Sequence, residues 1–292
     1  MKVLSLNTQD DFFHLPYRPQ RGLCLALGFF NGLHLGHQEL LQATCAKARE
    51  EGWEPGVFLF RSSPGIQLGI KPELAGPHLL MLEEDRLRAL RQAGFAWALV
   101  CSPNPEVLAL PAKAFVEKFL LENLGTKAVF CGEDFRFGYR AQGDVGLLAS
   151  YAPQLTTFVF HMVKEDGAKL SSTQIRRDLK AGRLDLAQRA LGRPFGFSLR
   201  PEDASLLASS RAPTIRLILH HDEDVKTWLS LEDLPGRGEK RDILYPPTLT
   251  PLPEGAYEGI FYPGSEFSLT AGFEPSSPYL ALTHYLGGLA LP

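Results

Sequence analysis

Cysteine is scarce: Cys24, Cys45, Cys101 and Cys131 are the only four in 292 residues, and no two form a CxxC pair. That spacing argues against a disulfide framework or a cysteine metal site, and the apolar neighbours predict buried free thiols in a reducing compartment. No apolar run approaches the roughly 18 residues of a membrane span, and the apolar part of the opening MKVLSLNTQDDFFH is too short for a secretory signal. Positive charge is not in excess either, with 30 Lys and Arg against 33 Asp and Glu for a net charge of −3. A protein that coats nucleic acid needs the opposite balance. A cytoplasmic protein with neither membrane nor nucleic-acid partners is expected, and only a local donor cluster is needed to hold a small anion.

What the chain does have is alternation. Between about residues 23 and 192, short apolar runs give way to segments of helical period closed by glycine, the pattern of an α/β fold with a parallel sheet. The strand candidates are LCLAL, VFLF, FAWALVC, KAVFC and TTFVF. Helical segments are predicted over residues 37–51, with Leu40, Leu41, Thr44 and Ala48 on one stripe, over 82–92 and over 112–124. In the second, Leu87 and Leu90 face inward, and Glu83, Glu84 and Asp85 suit the positive end of the helix dipole. Near-continuous apolar strands fit a sheet covered on both faces. Ligands of such sheets bind outside the carboxyl ends of the strands, so the loops after LCLAL, VFLF and KAVFC and the helix after TTFVF are expected to converge on one cleft. From Pro194 onward lie 12 of the 22 prolines, helical period fades, and TIRLIL and AYEGIFY read as strands of a small β-rich module.

Three stretches carry candidate chemistry. In GFFNGLHLGH, Gly28 and Gly32 permit tight turns, Gly36 keeps bulk out from between His34 and His37, and the following helix start offers free N–H groups to an anion. Two histidines three apart also suit a ligand-free helix end, and the absence of an acidic or Cys/His partner at metal-ligand spacing disfavours a metal. In LSSTQIRRDLKAGRLDLAQRALGRPF, Ser171, Ser172 and Thr173 precede a helix that carries Arg176, which makes either a plain cap or an anion clamp. In CGEDFRFGYRAQGD, Phe135 and Phe137 flank Arg136, as a stacking surface for a planar ligand or as a core pair.

Together, in this order and spacing, these stretches resemble the bacterial riboflavin kinase/FMN adenylyltransferase family, the bifunctional FAD synthetases, over about residues 25–195. The resemblance implies a Rossmann-like nucleotidyltransferase domain, residues 1–195, that transfers AMP from ATP to FMN with Mg2+, giving FAD and pyrophosphate. By position it implies that Gly28, Phe29, His34, Gly36 and His37 hold ATP, that Ser172, Thr173 and Arg176 complete the phosphate grip, and that Asp134, Phe135 and Phe137 face the flavin. His34, His37 and Arg176 are then the catalytic candidates. The chain has Asn31 where the family usually has aspartate, which keeps hydrogen bonding to the ligand but drops a carboxylate, and FRSSP at residues 60–64 where the family usually reads like FDPHP. After residue 195 the family's PTAN motif is missing, APTIR retaining only Pro213 and Thr214, while LPEGAYEGIFY resembles a strand of the kinase module. Residues 196–292 are thus expected to form a barrel remnant without riboflavin kinase activity.

Overall fold

A computed structural model of the chain describes residues 1–63, 78–161, 164–165, 168–199, 215–221, 227–232, 243–244, 246, 249–250, 252–253, 255–262 and 279–287. It divides into two compact units, one made of Met1–Phe30, Gly36–Ala75 and Leu90–Lys164, the other of Asn31–Leu35, Gly76–Ala89 and Glu165–Pro292.

The first unit is a six-stranded parallel sheet of β1 (Lys2–Leu6), β2 (Leu23–Gly28), β3 (Glu54–Phe60), β4 (Trp97–Cys101), β5 (Thr126–Gly132) and β6 (Thr156–Phe160), in the order β1-β4-β3-β2-β5-β6. All five strands expected from the apolar runs are present. The sixth, β1, is formed by the opening KVLSL, whose alternate residues Leu4 and Leu6 are buried. Its pairing with β4 places it at the sheet edge, a non-local fact that five residues do not announce. A core dominated by leucine and phenylalanine, including Leu25, Phe58, Leu99, Phe115 and Phe119, with Val129 among them, fills one face.

The helix expected over 37–51 begins two residues earlier, as α1 (Leu35–Glu51), and buries the expected stripe of Leu40, Leu41, Thr44 and Ala48. Residues 112–124 are not one regular helix. A turn at Ala112–Ala114 runs into wider π-type turns over Phe115–Asn123, closed by Leu124 N–H donating to Phe119 O at 3.0 Å, five residues back. In α2 (Glu83–Gln92) the acidic first turn does more than complement a dipole. Asp85 is buried and accepts hydrogen bonds from Arg88 Nη1 at 2.9 Å and from the N–H and hydroxyl of Ser198.

In the second unit, α3 (Ser172–Lys180) and α4 (Leu184–Leu191) bury Ile175, Leu179, Leu184, Ala187 and Leu191, and a glycine at φ +71°, Gly192, ends the second of them. An antiparallel sheet follows, of β7 (Phe195–Ser198), β8 (Ile215–His221), β9 (Thr227–Glu232), β10 (Ile243–Leu244), β11 (Gly255–Tyr262) and β12 (Tyr279–Gly287), ordered β10-β9-β8-β11-β12-β7. The TIRLIL and AYEGIFY strands are β8 and β11. Pro213, Thr214 and Pro64 lie outside the described residues.

Candidate functional site

In the first unit the sheet reverses its winding beside β2: the chain builds β3 and β4 on one side of it and later sets β5 and β6 on the other. In open parallel sheets a ligand crevice is expected where the winding reverses, at the carboxyl ends of the strands. Leu27 pairs with Cys131 and Gly28 with Leu59, so the loops after β2, β3 and β5 leave from one edge. Of the four segments expected to converge there, the start of the loop after β2 and the loop after β5 belong to this unit, the loop after β3 is described only as far as Ser63, and residues 31–35 and the helix after β6 belong to the second unit.

Gly28 and Phe29 close β2, and the next residue turns the chain sharply. Phe30 is buried at φ +51°. Its ring lies back over Gly28, where a Cβ would stand 2.9 Å from the ring, and meets the His37 imidazole edge-on with centroids 5.2 Å apart. Only glycine leaves room for that ring. Gly36 and His37 fall in the first turn of α1, where backbone N–H groups have no helical acceptor and the dipole favours an anion.

After β5, Glu133, Asp134 and Arg136 are exposed, Arg136 pairing with Asp144 at 3.0 Å. The two phenylalanines separate in role. Phe137 is 6% exposed and packs on Phe115 with centroids 5.2 Å apart, whereas Phe135 is half-buried and stacks on Phe137 at 5.7 Å. Of the pair, only Phe135 retains exposed ring surface to offer a ligand.

In the second unit, residues 31–35 and the start of α3 come together. Ser171 caps the helix by accepting from Gln174 N–H at 3.2 Å. Ser172 Oγ donates to Asn31 O at 3.0 Å, and Arg176 Nη2 donates to Thr173 Oγ1 at 2.8 Å. Arg176 is 6% exposed, a buried guanidinium bonded to the Thr173 hydroxyl in the first turns of the helix, a donor set suited to phosphate. Asn31 itself is 1% exposed, and its amide bonds the chain: Nδ2 donates to His78 O at 3.1 Å and Oδ1 accepts from Leu80 N–H at 2.7 Å.

These features coincide with a sequence-family match. The model of the FAD synthetase family fits residues 17–174. The chain belongs to the FAD synthetase family. Two of its relatives are bifunctional riboflavin kinase/FMN adenylyltransferases: that of Escherichia coli strain K12, 32% identical over 233 residues that cover 78% of this chain and 72% of the relative, and that of Pseudomonas fluorescens, 35% identical over 186 residues that cover 63% and 58%. A solved structure described as a macrolide-efflux protein from Streptococcus pneumoniae superposes with TM-score 0.63 at 17% identity, covering 99% of this chain and 92% of its own, a likeness of fold alone.

Within this FAD synthetase fold, His34 is 7% exposed, and burial, assisted by the positive charge of Arg193, lowers its pKa from 6.5 to about 4. At neutral pH it is an uncharged imidazole, able to donate one N–H without carrying a proton to be lost. Arg193, buried in the ALGRPF segment between glycine and proline, reads in sequence as a turn residue; only its place beside His34 gives it electrostatic weight. Between pH 6.5 and about 4 the unfolded chain binds a proton that folded His34 does not, so stability falls as the pH is lowered through that window. A loss of about 2 kcal/mol from pH 7 to pH 5 is expected from this group. Urea titrations at both pH values check it: His34→Gln should remove that much of the pH dependence, and an unchanged slope would refute the assignment.

The four thiols are free. Burial raises Cys24, Cys101 and Cys131 to about 12 and Cys45 to about 11, so none is a thiolate nucleophile at neutral pH. Among the described residues no group of three or more His, Cys, Asp or Glu could hold a metal ion, and no helix is long and apolar enough to cross a membrane.

Proposed function

We propose that this member of the FAD synthetase family transfers AMP from ATP to FMN and lacks riboflavin kinase activity. The observation that supports the reading is that two motifs of the resemblance hold groups suited to phosphate: in the first unit a helix start bearing His37, and in the second a neutral buried His34 and the Ser172, Thr173 and Arg176 cluster. A phosphate oxygen of FMN forms a bond to the α-phosphorus of ATP as the bond to the bridging oxygen breaks, and that electron pair leaves with pyrophosphate. No covalent enzyme intermediate is needed. The protein contributes position and hydrogen-bond donors to oxygens that gain charge, where they count most.

In this reading Gly28, Phe29, Gly36, His34 and His37 serve ATP, Ser172, Thr173 and Arg176 grip phosphate, and Asp134 and Phe135 serve the flavin, with Phe137 shaping that loop from the core. Asn31 acts on the turn. Mg2+ is a hard cation that prefers phosphate oxygens, water and few carboxylates, so it is assigned as part of the MgATP substrate. Residues 1–195 are assigned the transfer and residues 196–292 no reaction of their own, because PTAN is absent; the setting is cytoplasmic, with small molecules as partners.

Incubation with ATP, Mg2+ and FMN should yield FAD and pyrophosphate in equal amounts, and incubation with riboflavin should yield no FMN. Absence of FAD from FMN would overturn the transferase assignment, and FMN from riboflavin would overturn the kinase assignment.

A further inference from the structure

The turn that carries His34 is strained. Gly32 has φ +83° and Leu33, fully buried, has φ +46°. A bulky residue held in the left-handed region is costly and persists only where its surroundings over-determine it. The surroundings here are specific. Gly32 lies so close to Leu80 that a Cβ would stand 2.7 Å from the leucine Cβ, and the Asn31 amide spans His78 O and Leu80 N–H. The side chain thereby mimics a neighbouring β-strand, since an extended segment presents alternate residues' backbone groups to the same edge.

The opposite edge of the same segment is occupied as well. Leu79 O, which points away from the two groups that Asn31 holds, accepts from Thr250 N–H at 2.8 Å and Thr250 Oγ1 at 3.1 Å. Leu79 also forms a parallel bridge with Leu249. Leu249, Thr250 and Leu252 are all buried. Residues 78–80 thus stand as a strut, with the histidine turn on one edge and the C-terminal part of the chain on the other.

We propose that the C-terminal part, which has no kinase motif, braces the His34 turn through this strut, with Asn31 and Thr250 as positioning residues. The proposal rests on the reading of His34 as a transfer residue, and it gives Leu249 and Thr250 a part in AMP transfer at a site to which they supply no ligand. Thr250→Val keeps the shape and removes one donor; Asn31→Ala removes both arms of the bridge, leaving a buried N–H and C=O without that partner. Each acts on the chemistry by way of His34, so the effects must be coupled rather than additive.

The experiment uses the full chain in FAD formation from FMN and MgATP. Asn31→Ala is expected to lower kcat by about tenfold and Thr250→Val by about threefold, both with KM for FMN within about twofold of the parent. In a His34→Ala background, neither substitution should lower kcat further by more than about twofold. Costs that multiply in that background, or a loss of thermal stability with kcat unchanged, would overturn the brace. If Asn31→Ala does not accumulate as folded protein, Thr250→Val, which loses a single hydroxyl, carries the cycle alone.

An arm independent of turnover follows the His34 imidazole Cε1–H by NMR. The parent should stay neutral down to about pH 5, and Thr250→Val and Asn31→Ala should raise the midpoint as the turn loosens toward solvent. An unchanged midpoint in both variants refutes the brace even if the parent makes no FAD, and a raised midpoint with no FAD formed refutes the transferase assignment instead.

Discussion

Replacement of His37 by alanine should lower kcat for FAD formation about 100-fold while KM for FMN changes by no more than about twofold. The imidazole sits in the first turn of α1, where the positive end of the helix dipole already favours phosphate, so its own donor adds to that field. Phe30 fixes the ring from its edge, 5.2 Å between centroids, so little reorganisation is needed as charge builds on the phosphate oxygens. A donor that acts on developing charge lowers the barrier more than it aids ground-state binding. Steady-state kinetics with FMN varied at saturating MgATP separates the two. Equal losses appearing in KM rather than kcat would make His37 a binding group, and unchanged kcat would remove it from the mechanism.

The largest effect on stability is expected at Gly138. Its φ is +74°, and a Cβ would stand 2.5 Å from Ala112 Cα and 2.6 Å from Ala112 N, backbone atoms that cannot swing aside. Gly138→Ala therefore combines an unfavourable backbone conformation with overlap inside a packed loop, and should destabilise by about 3 kcal/mol or more. Gly125→Ala is the control. Gly125 has φ +61° with nothing near its missing Cβ, so only the conformational cost, about 1 kcal/mol, remains. Thermal or urea unfolding of the two variants measures the difference, and equal losses would mean that the approach to Ala112 costs nothing.

Both glycines stand in plain view in the sequence, yet their reasons differ. Gly125 closes a helical pattern before a strand, and that local signal suffices to place it. Gly138 follows FRF in a motif read for ligand binding; its demanding contact is with a residue 26 positions earlier, and no local pattern encodes that. Phe137 has a similar history. Aromatic residues on both sides of Arg136 read equally as stacking surface or core pair, and packing against Phe115 puts one of them in the core.

Asn31 shows the same division at the candidate site. In the sequence it is a ligand-facing residue that lacks its family's carboxylate. In the folded chain its amide is turned to His78 and Leu80, 47 and 49 residues away, and a carboxylate could not donate to His78 O. Asp85, an apparent dipole charge on α2, likewise takes two of its hydrogen bonds from Ser198, 113 residues on.

The sequence by itself determined the alternation of strands and helices, the buried stripe of α1, the free thiols and the motifs that mark the family, because burial repeats along the chain with the period of each element. Tertiary structure alone decided that β1 joins the sheet edge, that the winding reverses beside β2, that burial, assisted by Arg193, keeps His34 uncharged, and that Thr250 holds Leu79 from 171 residues away. A buried polar group must find a partner somewhere. Which partner it finds depends on how distant segments meet, and a single sequence carries no periodic signal for that.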